Sequence, residues 1–131
     1  PPLFNDVSDQ VLNTVDLLIV PVPASPMAQR AFDMVRDELR KHHVRNLSIL
    51  PVLSMYSAGR ELHRVVRHGR ASGWPVIPMA SEVERAADLR KPIGLIAPES
   101  RANSALHQLW KGIEAKIAER CAFDRTELIH A

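Results

Sequence analysis

The chain has 131 residues, 46% hydrophobic and 24% charged, with 17 Lys and Arg against 15 Asp and Glu for a formal net charge of +2. Those values fit a globular domain that buries a core, and they exclude both a disordered chain and a polycation that holds nucleic acid by net charge alone. The single cysteine, Cys121, excludes an internal disulfide framework and any multi-cysteine zinc or iron–sulfur site, and it suits a reducing cytoplasm.

After a short polar–apolar stretch from Asn5 to Val15, the run Leu17 to Val22 reads as a strand apolar on both faces. Ser25 is a cap and Pro26 a first helical residue. From Met27 to His43 the apolar residues Ala28, Ala31, Phe32, Val35 and Leu39 recur at helical spacing. Leu47 to Leu53 is the next strand, and a helix from about Gly59 to Ala71 follows, ended by Ser72-Gly73. A third apolar run, Pro75 to Ile77 with Trp74 beside it, precedes the strongest helical stripe. That stripe begins after Pro98-Glu99-Ser100 and carries Ala102, Ala105, Leu106, Leu109, Trp110, Ile113 and Ile117. Alternating strands and helices predict an α/β fold, a parallel sheet with flanking helices, over residues 1–119. Periodicity fades from about Arg120, which predicts a frayed tail over 120–131, and no stretch is apolar enough to read as a membrane span or anchor.

No segment matches G-x-x-x-x-G-K-[ST], since Gly59, Gly69, Gly73, Gly94 and Gly112 are scattered, so nothing here cradles β and γ phosphates. No G-x-S-x-G elbow supplies a nucleophile, and no catalytic residue is assigned. His42, His43, His63, His68, His107 and His130 show no ligand spacing, which predicts no metal site and reads them as solvated or partly packed. Arg60, Arg64 and Arg67 stand at i, i+4 and i+7, with Arg70 and His63 flanking them and Glu61 the one acid nearby. Such a ridge suits DNA phosphates, whose neutralisation gives sequence-independent affinity; the competing reading is a solvated face or arginines paired with acids elsewhere.

In order along the chain, several segments resemble the ParA-type partition ATPases of the deviant-Walker P-loop superfamily. Pro1-Pro2 resembles the pair after the Walker B aspartate, and Val11 through Val22 resembles the helix-to-strand passage that follows it. Leu50-Pro51-Val52-Leu53-Ser54-Met55-Tyr56 is similar to the strand ending near the adenine. Val76-Ile77-Pro78-Met79-Ala80-Ser81-Glu82-Val83-Glu84-Arg85-Ala86, then Lys91-Pro92-Ile93, resembles the next strand, loop and helix, and Ala97-Pro98-Glu99-Ser100-Arg101 the entry to the final helix.

The resemblance implies the C-terminal half of a P-loop NTPase fold. It implies a parent ATPase, cytoplasmic and nucleoid-associated in a bacterium, that uses ATP and magnesium and dimerises with ATP bound. The dimer binds DNA non-specifically, answers to a ParB-type centromere-binding partner and segregates plasmids or chromosomes. Met55, Tyr56, Pro78 and Met79 become candidate base contacts, with core packing the competing reading for the two methionines. Arg101 joins Arg60, Arg64, Arg67 and Arg70 as a DNA candidate. The phosphate and magnesium ligands have no counterpart in this sequence, so the chain alone is expected to be inactive and without a cofactor. The other reading is a non-catalytic α/β module that binds DNA or protein. One departure stands out: Ser57-Ala58-Gly59-Arg60 occupies the place of an Asp-x-Arg element.

Overall fold

The computed structural model describes residues 6–41 and 47–130, with side chains described over 10–41 and 47–122. Pro1-Pro2, His42, His43 and the side chain of His130 therefore lie outside the described residues. The elements are α1 (Asp6–Thr14), β1 (Leu17–Pro23), α2 (Pro26–Lys41), β2 (Ser48–Tyr56), α3 (Glu61–His68), β3 (Val76–Pro78), α4 (Ser81–Asp88), α5 (Ile93–Ile96) and α6 (Arg101–His130). They divide into two compact units, Pro1–Met79 and Ala80–Ala131.

The first unit is a parallel sheet in the order β1-β2-β3 with helices around it, the α/β architecture that the alternation predicts. Four prolines fall in its strands; Pro78 is the last residue of β3, and the register explains how the other three fit. Ser48 N–H donates to the Asp16 carbonyl at 3.4 Å, so Asp16 and alternate residues after it face β2, while Leu17, Ile19, Pro21 and Pro23 turn their backbone groups to the open edge of β1. Leu53 N–H donates to the Pro75 carbonyl at 2.8 Å, which turns Pro51 toward a stretch that β3 does not reach. Each of these three thus stands where the ladder needs no donor.

The sheet's core is a cluster of Ala24, Leu53, Val66 and Ala71, against which Tyr56, Trp74 and Val76 pack. Leu53 and Val22 are the largest fully buried side chains among the described residues. On α2, Phe32 and Leu39 are buried as the periodicity predicts, Ala31 is exposed, and Gln29 is buried instead, its Nε2 donating to the Pro23 carbonyl at 3.1 Å. Ser25 caps α2 through its hydroxyl, which accepts from Ala28 N–H at 3.2 Å. Phe32 meets Trp74 edge-on, with centroids 5.2 Å apart.

Helix α3 is shorter than its pattern predicts. It closes at Gly69, where the N–H donates to the Val65 carbonyl at 2.9 Å and an added Cβ would come within 3.0 Å of that same oxygen. Gly73, predicted to end the helix, instead takes a left-handed φ of 81° in the turn before Trp74. Arg70 consequently lies beyond the helix, not on it.

In the second unit, Ser100 caps α6, its hydroxyl accepting from Asn103 N–H at 3.1 Å while Asn103 Nδ2 donates to the Pro98 carbonyl at 2.8 Å. Of the predicted stripe, Ala102 and Ile113 are buried, and Leu106, Trp110 and Ile117 are exposed. α6 continues to His130 where fading periodicity predicts a frayed tail; a helix needs backbone hydrogen bonds rather than an apolar stripe, so periodicity alone misjudges its end. Among the described residues no helix is long and apolar enough to cross a membrane.

Candidate functional site

In an open parallel sheet the carboxyl ends of the strands form the edge where ligands collect, because the βα loops there carry no ladder of their own. Met55, Tyr56, Pro78 and Met79 all lie at that edge, at the ends of β2 and β3. Tyr56 pairs with Pro78, and Met79 N–H donates to the Tyr56 carbonyl at 2.8 Å, which locks the two strand ends together. The four predicted base contacts are therefore neighbours. Between the Leu53 and Tyr56 pairings the register shifts, and Met55 inside that irregularity adopts a left-handed φ of 53°. For a side chain longer than Asn or Asp this conformation costs ~1–3 kcal/mol and persists only where the surroundings enforce it. The bulge turns Met55 outward at 54% exposure, with Met79 at 46%, so neither methionine is core packing.

The residues after Met55 are contacted by side chains of α3. His63 is buried, and its Nδ1 accepts from Ser57 N–H at 3.0 Å. A backbone N–H can only donate, so Nδ1 is the unprotonated nitrogen of the ring. Arg64 donates from its guanidinium to the Ala58 carbonyl at 3.3 Å, and the Arg67 guanidinium stands 5.7 Å from the Tyr56 ring centroid. Tyr56, Ser57 and Ala58 are each held by a different side chain of α3. Arg60 at the N-cap position makes no side-chain cap hydrogen bond, so α3 begins without a side-chain cap.

The arginine ridge is thus partly committed. Arg60 and Arg64 are exposed, and Arg67 is half-buried over Tyr56. Arg70 leaves the ridge and forms an ion pair with Asp33 of α2, one guanidinium nitrogen reaching both carboxylate oxygens. That hydrogen bond, reinforced by the charges of Arg70 and Arg36 and opposed by desolvation, holds the Asp33 carboxyl below its ordinary range. Arg36 also pairs with Asp33, at 3.2 Å, and lies 6.0 Å from the Phe32 ring centroid. Arg101 opens α6 in the second unit and is exposed.

The periodic reading misses His63 as a structural residue. Its spacing from buried Val66, one turn on, is the signal that sets it on the inner face. Asp33 gives no such signal, because its partner is distant in sequence. Among the described residues no group of three or more His, Cys, Asp and Glu side chains is arranged to hold a metal ion. The chain matches no protein-family model and has no significant similarity to any curated protein.

Proposed function

We propose that the chain is the base-binding and DNA-facing part of a nucleotide-switched partition ATPase of the ParA type. One observation carries the reading: the four residues that the resemblance selects as base contacts, separated in sequence into two pairs, meet at the carboxyl edge of the sheet, two of them exposed methionines beside a tyrosine. Soft, flat, apolar side chains of this kind suit a purine, whose faces stack and whose edge takes hydrogen bonds from the backbone. In this proposal ATP phosphates and magnesium are held by a phosphate loop outside the 131 residues, and ATP-driven dimerisation presents Arg60, Arg64, Arg67 and Arg101 of both copies to DNA, with Arg70 pinned at the margin. A ParB-type partner would stimulate turnover, and the nucleoid would be the working surface.

The test is a titration of the protein carrying this chain with fluorescent ATP and GTP analogues. Stacking is worth ~1–3 kcal/mol per aromatic contact, so Tyr56→Ala weakens ATP binding by on the order of tenfold. Equal affinity for both bases, or an unaffected Tyr56→Ala, would remove the reading. DNA binding is then measured on random duplexes at two salt concentrations. Each lost phosphate contact lowers the log–log slope by about 1, so Arg60→Ala/Arg64→Ala flattens the salt dependence while Arg30→Ala on α2 does not. DNA binding indifferent to nucleotide would leave the non-catalytic module as the better account.

A further inference from the structure

We infer that His63 is the positioning residue of the ligand edge: by accepting the Ser57 amide at Nδ1 it holds the bulged end of β2 in the single backbone arrangement that presents Met55 and Tyr56 together. The identity of the ligand rests on the adenine reading above, whereas the role of His63 rests on geometry alone.

The left-handed Met55 is a local minimum only because the chain is fastened on its downstream side. Hydrogen bonds do the fastening: Met79 N–H to the Tyr56 carbonyl and Ser57 N–H to His63 Nδ1, with Arg60 N–H to the Ser57 carbonyl at 3.2 Å closing the turn beyond them. The first ties Tyr56 to β3 and leaves the direction of the chain beyond it open. The second anchors that direction to α3, since the Arg60 N–H to Ser57 carbonyl bond only closes the turn on itself and Ala58 and Gly59 are exposed small residues. His63 is suited to the task because it is buried on a regular helix, beside Val66 of the core cluster, so the acceptor is fixed relative to the sheet. Its ring also lies 6.2 Å from that of Tyr56, tilted by 42°, and so contacts both the backbone and the side chain it positions. Arg64 and Arg67 grip the same segment from an exposed and a half-buried position, where water competes with them.

The acceptor role and mere packing are separable by substitution. Asn places Oδ1 where His places Nδ1; Gln carries its oxygen one carbon further; Leu keeps apolar bulk and removes the acceptor. Amide hydrogen exchange on the full chain reads the fastening directly, with the thermal midpoint as a folding control. His63→Leu and His63→Gln lower protection at Ser57 and Met79 by on the order of tenfold while the middle of β2 stays protected, and His63→Asn restores it to within about threefold. Fluorescent ATP binding follows the same order, Leu and Gln weak and Asn near wild type. Wild-type protection at Ser57 in His63→Leu, or equal loss in the Asn and Gln variants, overturns the inference. Should His63→Leu fail to fold, the Asn and Gln pair decides by itself. Should the wild-type protein show no preference for adenine nucleotides, the functional reading falls while the exchange pattern still decides the role of His63.

Discussion

The connection from β1 to α2 and the connection from β2 to α3 leave the same edge of the sheet, yet they are built on opposite terms. The first is made from local rules: Ser25 caps the helix, Pro26 starts it, and Gln29 reaches back to the Pro23 carbonyl at the strand end. The second breaks those rules, with a left-handed methionine, a shifted register and an arginine where a cap would stand, and it is held together by side chains arriving from α3. A violation of local preference at one of two equivalent places, kept by tertiary contacts, is what the proposed ligand edge would require.

Both connections stand over one floor, since Ala24 at the end of β1 and Leu53 in β2 belong to the same buried cluster. Leu53→Ala therefore undermines them together. For a fully buried leucine the expected loss is ~2–5 kcal/mol, read as a drop in the urea midpoint with amide protection lost at both strand ends. Loss confined to one connection would show that the two are not supported in common.

A pair of milder substitutions sharpens the contrast. Ser25→Ala removes an ordinary cap and costs ~1 kcal/mol of stability; under the proposed function it leaves nucleotide affinity unchanged, because Ser25 lies outside the proposed base contacts. Met55→Gly acts the other way. Glycine accepts the left-handed backbone without strain and the lost side chain is half-exposed, so stability holds or rises by up to ~1 kcal/mol while nucleotide binding weakens. Chemical denaturation and nucleotide titration of both variants check this; a Met55→Gly protein that is less stable and binds normally would reverse the assignment of strain to function.

The same contrast governs what could be read from the sequence. Strands β1 and β2, helix α2 and its cap follow from period and punctuation, whereas the four edge residues come from the family resemblance alone, the apolar runs ending at Leu53 and Ile77 before reaching them. The bulge at Met55 does not, since nothing in Leu-Ser-Met-Tyr signals an extra residue and the irregularity exists only relative to β3. Helix α3 ends early at Gly69 because the Val65 carbonyl leaves no space for a Cβ, a fact about the folded turn that a run of helix-compatible residues conceals. Arg70 looked like part of a ridge because the pattern reports angle around a helix and not whether the helix still exists at that position.

The smallest effect tests whether the two regions are mechanically joined. Arg70, just after α3, pairs with Asp33 on α2, and this ion pair joins the edge-on Phe32–Trp74 contact in linking the helix that supports to the turn that follows the helix that grips. Because the folded carboxyl of Asp33 lies below its ordinary value of about 4, the folded state favours the carboxylate. The stabilisation is complete above that ordinary value and disappears as pH falls through the lowered one. Arg70→Gln should therefore lower the urea midpoint slightly at pH 7, and the gap from wild type should close in acid below about pH 4. Arg70 is half-exposed and water reaches the pair, so added salt should narrow the same gap at neutral pH. Arg36 retains its own contact with Asp33 in this variant, which is why Arg70→Gln isolates the link better than Asp33→Asn does. A gap that persists unchanged at low pH would mean that Arg70 stabilises the turn by packing, leaving the Phe32–Trp74 contact to join α2 to that turn.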